Sequence, residues 1–120
     1  MIALFALAAA LSLAPDEDPI TASRGQMTLG DLQVLCADRE PGEACRFYIL
    51  GVMEGTNLAS GVANDTKHFC IPEGVTQTEI VAVVKRLAKG DVAMFPKDVT
   101  MPAVSFVGAS LIHSYPCAKK

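Results

Sequence analysis

The fold class this sequence predicts is all-α, a compact bundle of about four helices stapled by two disulfides, and three observations carry it. Apolar residues recur at i, i+3, i+4 and i+7 on separate segments, the spacing of one helix face. Apolar types make up 51% of the 120 residues and charged types 19%, enough for one small core and unlike a disordered chain. Four cysteines, an even number, stand in a short chain that opens on an apolar run, the usual sign of a disulfide framework in an oxidising compartment.

The apolar run is Met1 to Ala14, without a charge and followed at once by Pro15-Asp16-Glu17-Asp18. A membrane-crossing helix needs roughly 20 apolar residues, so the run is too short for a stable span. It reads as the apolar region of a secretory signal peptide, although no Lys or Arg precedes it. Small residues offer cleavage at Ala8-Ala9-Ala10, at Ser12-Leu13-Ala14, where Pro15 is awkward, or near Ala22. The expected division is a leader over 1–22 and one helical domain over 23–120, exported to the periplasm. Cleavage after Ala22 removes three acidic residues and moves the net charge from −3 to 0.

Residues 15–27 are polar with two Pro and a Gly, and read as a linker. Thr28-Leu29-Gly30-Asp31 opens the first helix, its threonine placed to accept an N–H from the first turn. Leu29, Leu32 and Cys36 share one face, widened by Val34 and Leu35. Asp38-Arg39-Glu40-Pro41-Gly42 is a turn. Glu43 to about Ser60 is the strongest helical pattern, with Cys45, Tyr48, Ile49, Val52 and Met53 on one stripe. Gly51 and Gly55 stand one turn apart within it, each costing about 1 kcal/mol against Ala. Close approach of another helix accounts for them, either as a crossing inside the monomer, the preferred reading, or as the seam of a homodimer.

Gly61 to His68 reads as a loop, and its Asn64-Asp65-Thr66 glycosylation pattern is of a kind that arises by chance. Phe69 to Val75 is extended with a Pro-to-Gly turn, and Thr76-Gln77-Thr78-Glu79 is a capping box. Ile80, Val83, Val84 and Leu87 line the third helix, which Lys89-Gly90-Asp91 is expected to end. Val92 to Val99, interrupted by Pro96, reads as irregular. Thr100-Met101-Pro102 starts the fourth helix, with Val104, Val107, Leu111 and Tyr115 on one face, and Pro116 ends it.

Composition excludes several function classes. Ten Lys+Arg against thirteen Asp+Glu, with no basic run beyond Lys119-Lys120, argues against nucleic-acid binding. No Gly-rich phosphate fingerprint is present, and two histidines leave little for acid–base catalysis. His68, Cys70, His113 and Cys117 could together form a Cys₂His₂ zinc set, but the oxidising compartment and two further cysteines favour disulfides. A Cys–His nucleophile lacks an orienting group and an oxyanion hole. Asp31, Glu40, Glu43 and Glu54 read as solvated surface. The sequence thus predicts neither an enzyme nor a resident cofactor or metal.

The segment Cys45-Arg46-Phe47-Tyr48-Ile49-Leu50-Gly51-Val52-Met53-Glu54-Gly55, preceded by Leu32-Gln33-Val34-Leu35-Cys36, resembles the C-x-x-Y-I-x-G-x-x-x-G core of the Rap/Tai family. That family comprises periplasmic immunity proteins against amidase effectors of type VI secretion. Phe69-Cys70-Ile71-Pro72-Glu73-Gly74-Val75 is similar to its F-C-x-P-x-G-V segment, and Tyr115-Pro116-Cys117 to its closing F-P-C. The likeness runs from about Thr28 to Cys117; a His-Pro that the family often carries after the third helix is replaced by Lys89-Gly90-Asp91. It implies an all-helical fold, a binding role without catalysis and, as partner, a cell-wall amidase. Two readings from other classes are an exported acid-stress chaperone of the HdeA-like kind and a small metal-binding module.

Three cysteine pairings are open in principle. The expected one is Cys36–Cys45, across the turn between the first two helices, with Cys70–Cys117, tying the approach to the third helix to the end of the fourth. In the chain-entropy model, loops of about 10 and 48 residues give roughly 2.7 and 4 kcal/mol. Partner contact is expected from irregular stretches, because the helical stripes are consumed by the core. Gly61–His68 and Lys89–Lys97 are the two longest, and Met94 and Phe95, rimmed by Lys89, Asp91 and Lys97, form the candidate binding tip.

Overall fold

The computed structural model describes residues 25–37, 43–64 and 66–118. The leader and its cleavage sites, most of the linker, the 38–42 turn, Asp65 and Lys119-Lys120 lie outside the described residues. Among those described, the chain runs α1 (Leu29–Cys36), α2 (Glu43–Val62), α3 (Gln77–Met94), a 3₁₀ turn (Pro96–Thr100) and α4 (Ala103–Ser114). They contain no strand, only an isolated antiparallel bridge between Thr28 and Pro102.

Both predicted caps form. The Thr28 hydroxyl accepts the Asp31 N–H at 3.1 Å while the Asp31 carboxylate accepts the Thr28 N–H at 2.9 Å. Thr76 and Glu79 repeat the exchange at 3.1 and 3.0 Å. Each box satisfies two N–H groups that a helix start otherwise leaves unpaired. The Thr28 N–H and hydroxyl also hold the Asp31 carboxyl below its ordinary pKa. Before α3 the chain turns at Gly74, whose φ of +87° suits a residue without Cβ, and the Val75 N–H donates to the Pro72 carbonyl. α2 runs two residues beyond Ser60, and Asn64, at φ +52°, takes the left-handed conformation just after it.

The core lies where α1, α2, α3 and α4 meet. Leu29, Leu32, Ile49, Val84, Val107 and Leu111 are its largest fully enclosed side chains. Ile80, Ala88, Ala103, Cys45, Phe69 and Phe106 complete it, with Tyr48 and Val52 half-buried against it. Burial raises the pKa of the Tyr48 phenol. Gly30 permits a close approach: a Cβ there would stand 3.3 Å from the Val99 carbonyl oxygen. The start of α1 is fastened to the approach to α4, because the Leu29 N–H donates to Met101 at 2.8 Å and the Ala103 N–H to Met27 at 2.7 Å.

Both expected disulfides are present, Cys36–Cys45 with Cα atoms 5.0 Å apart and Cys70–Cys117 with 4.8 Å. A main-chain bond from the Cys70 N–H to the Tyr115 carbonyl, 2.8 Å, runs beside the second. No thiolate is left for a Cys₂His₂ site, which corrects the zinc alternative. Among the described residues no group of three or more His, Cys, Asp or Glu is placed to hold a metal ion.

Three expectations about the helices need correction. Val34 is exposed, so of the two residues expected to widen the α1 stripe only Leu35 packs against the core. In α4 the inward face is Ala103, Phe106, Val107, Ser110 and Leu111, leaving Val104 exposed. Ser110 is buried because its hydroxyl donates to the Phe106 carbonyl at 2.8 Å, which satisfies a group that otherwise favours solvent. α3 does not stop at Lys89-Gly90-Asp91 but continues to Met94.

Truncation separates the two sets of apolar positions. Ile49→Ala and Leu111→Ala should each cost about 2–5 kcal/mol in denaturant unfolding, while Val34→Ala and Val104→Ala should stay within about 0.5 kcal/mol of the parent. Thr76→Ala should cost about 1 kcal/mol by loss of the α3 cap.

Candidate partner-binding surface

The end of α3 decides where the predicted tip sits. A glycine inside a helix costs about 1 kcal/mol, which packing on either side can offset. Here Ala88 is buried and Leu87 and Val92 pack against the core, so the helix crosses Gly90 without a break. What stops it is Pro96, which disfavours helical backbone at the residue before it. Phe95 has left the helix, at φ −128° and ψ 76°, and its N–H donates to the Asp91 carbonyl at 2.7 Å. The 3₁₀ turn then closes through Asp98 N–H to Phe95 (2.9 Å) and Met101 N–H to Asp98 (3.0 Å).

The five residues singled out on Lys89–Lys97 therefore do not lie on a long irregular loop. Lys89, Asp91 and Met94 belong to the last turns of α3, Phe95 is the corner, and Lys97 is in the 3₁₀ turn. Their exposure matches the expectation nonetheless. Met94 is 74% and Phe95 55% exposed, so neither serves chiefly to cover the core. Lys89 and Lys97 are exposed on either side, and Asp91 is half-buried. Next to the corner a cleft of about 400 Å³ is lined by Leu87, Asp91, Met94, Phe95, Phe106 and His113. Burial, and the neighbouring Asp98 carboxyl, raise the Asp91 pKa. The corner is thus an exposed apolar knuckle on a hydrogen-bonded backbone, with an exposed lysine before and after it in the chain.

The other stretch, Gly61–His68, is shorter than expected, because Gly61 and Val62 belong to α2. It adjoins a second exposed apolar surface. Phe47 is 61% and Val62 80% exposed, and Leu58 is exposed between them. A shallow groove of about 810 Å³ runs along the same helix past Gly51, Gly55, Ala59 and Ala63, with Val104 at its edge. Among the described residues, a Cβ built at Gly51 or Gly55 would meet nothing within 4 Å. The preferred reading of these glycines, a helix crossing inside the monomer, is therefore corrected: among the described residues no helix crosses at them. The sequence offered Gly51 and Gly55 as a homodimer seam only as the second reading and did not pick out Phe47, Leu58 and Val62, because periodicity marks the buried side of a helix and is silent about apolar residues on the other.

The surface offers apolar contact and flanking charge, the composition of a protein interface core with its rim. Among the described residues no helix is long and apolar enough to cross a membrane. No curated protein and no solved structure gives a match to the chain. A family model described as Rap1a immunity proteins matches residues 28–117, from the α1 cap to the last cysteine, and the chain belongs to that family.

Proposed function

We propose that this protein is exported to the periplasm by a leader spanning 1–22, and that its 23–120 domain binds and blocks a peptidoglycan amidase delivered by type VI secretion. The observation that carries the reading is the match to the Rap1a immunity proteins over almost the whole described chain. The apolar leader and the two disulfides support the compartment. The protein acts as an inhibitor without a reaction of its own, and needs no cofactor for it.

Contact is made by the Met94–Phe95 knuckle, with Lys89, Asp91 and Lys97 around it. An exposed apolar pair on a firm corner can enter an enzyme cleft at low ordering cost, because the helix end and the 3₁₀ turn already hold its backbone. The flanking lysines set orientation and association rate more than affinity. The outward face of α2 favours a second association, between two copies of the chain. Gly51 and Gly55 let helix axes come close, and Phe47 and Val62 supply apolar area beside them.

The test mixes the purified domain with the amidase encoded beside it and follows peptidoglycan cleavage. Inhibition at micromolar protein or below is expected, and Met94→Asp with Phe95→Asp should weaken it about 10-fold or more without unfolding the domain. Absence of both inhibition and complex contradicts the immunity reading; undiminished inhibition by the double variant contradicts only the knuckle. For self-association, sedimentation velocity should give a dimer that Gly55→Leu converts to monomer, since the new side chain fills the groove and clashes with nothing inside the subunit.

A further inference from the structure

We propose that the cleft between α1 and α3 binds a single-chain anionic amphiphile, a fatty-acid carboxylate, with the chain laid along α1 and the head held by cations of α3. The cleft holds about 650 Å³, within the range of small-molecule sites. Its floor is Leu32, Ile49 and Val84, one residue from each of α1, α2 and α3, all fully enclosed. At its mouth on the α1 side stand Val34, which is 77% exposed, and Ala37, exposed as well. An apolar wall therefore runs from the core out to solvent.

The opposite rim is cationic. Lys85, Arg86 and Lys89 line it from little more than one turn of α3, where residues three and four apart are neighbours. Arg86 and Lys89 are exposed; Lys85 is half-buried, so its alkyl stem can cover apolar wall while the ammonium stays in water. Among the described residues no carboxylate lines the cleft, and none forms an ion pair with these three. Unneutralised charge of one sign at the lip of an apolar cleft is complementary to an anion attached to hydrocarbon.

Shape and hydrogen bonding choose the hydrocarbon. Along α1 the cleft runs from Gly30 to Ala37, about 10 Å at the rise of an α-helix. Its one side-chain amide, Gln33, is already turned across to α3, donating a long 3.5 Å bond to the Ala88 carbonyl. A peptide segment would bring an N–H and a C=O per residue into walls that are mostly hydrocarbon and offer few partners, at a cost for each group left unpaired. An acyl chain needs none, and its carboxylate takes charge-assisted bonds from guanidinium and ammonium groups.

The experiment titrates the purified protein with laurate, and separately with dodecyltrimethylammonium, below their micelle concentrations, by calorimetry and by ¹H–¹⁵N NMR. A single laurate should bind per chain with a Kd of about 10 μM or below, and the cationic amphiphile about 10-fold or more weakly. Amide signals of Gln33, Val34, Lys85 and Lys89 should move, and those of Phe47 and Leu58 should not. Val34→Glu sets a like charge at the mouth, and Lys85→Glu reverses one at the rim. Each should weaken laurate about 10-fold and leave inhibition of the amidase, in which neither residue is placed, unchanged. Equal binding of both amphiphiles, laurate shifts confined to the outer side of α2, or undiminished binding by both variants overturns the proposal. So does attachment to anionic phospholipid vesicles without binding of free laurate, or movement of the cleft amides by the amidase and not by laurate.

Discussion

The structure depends on how α4 is held. Val107 and Leu111 have no exposed surface, and α4 packs on α1, α2 and α3. Both of its ends are fastened to distant parts of the chain. At the N-terminal end the Met27–Leu29 segment exchanges main-chain bonds with Met101 and Ala103; at the C-terminal end Cys70 meets Tyr115 by a hydrogen bond and Cys117 by a covalent one. A domain this small buries a limited apolar area, so cross-links that restrict the unfolded chain carry a large share of its stability. The longer disulfide closes 47 residues of separation and so contributes more in that model, roughly 4 kcal/mol against roughly 2.7 for the shorter one.

With the core clamped in this way, the remaining apolar side chains are free to be exposed. Met94 and Phe95 project from a corner whose backbone is fixed on one side by α3 and on the other by a hydrogen-bonded 3₁₀ turn. Phe47, Leu58 and Val62 line the outward side of α2, where glycines and alanines leave the backbone approachable. A monomer gains nothing in stability from such surfaces, and association is the physical use for them. The fold therefore separates two jobs: α4 and the disulfides hold the domain, and the outer side of α2 and the end of α3 present it.

Much of this was legible in the sequence, for identifiable reasons. Thr28 and Thr76 stood three residues before a carboxylate, and both capping boxes form. The cysteines at the end of one helix and near the start of the next stand nine positions apart, close enough to pair, and they do. On α4 the stripe held at Val107, Leu111 and Tyr115 and failed at Val104, because Ala103 and Ser110, both buried, do not look apolar enough to mark a core face while Val104 does. The end of α3 was misread because Gly90 was weighted as a stop, when burial of Ala88 and the packing of Val92 carry the helix on to the true stop at Pro96. That error turned a helix end into a loop, yet it left Met94 and Phe95 correctly picked out, since no helical face could bury them. Gly51 and Gly55 were read in two ways, and the sequence preferred the wrong one, because whether small residues meet a neighbouring helix is a tertiary fact.

The central claim is that the exposed knuckle at the end of α3 is the surface that meets the partner enzyme. Hydroxyl-radical footprinting of the domain, alone and in complex with its amidase, tests it directly, since methionine and phenylalanine react readily when solvent reaches them. Oxidation of Met94 and Phe95 should fall several-fold in the complex while that of exposed Phe47, on α2, stays unchanged. A stable complex in which Met94 and Phe95 oxidise as fast as in the free domain would contradict the claim.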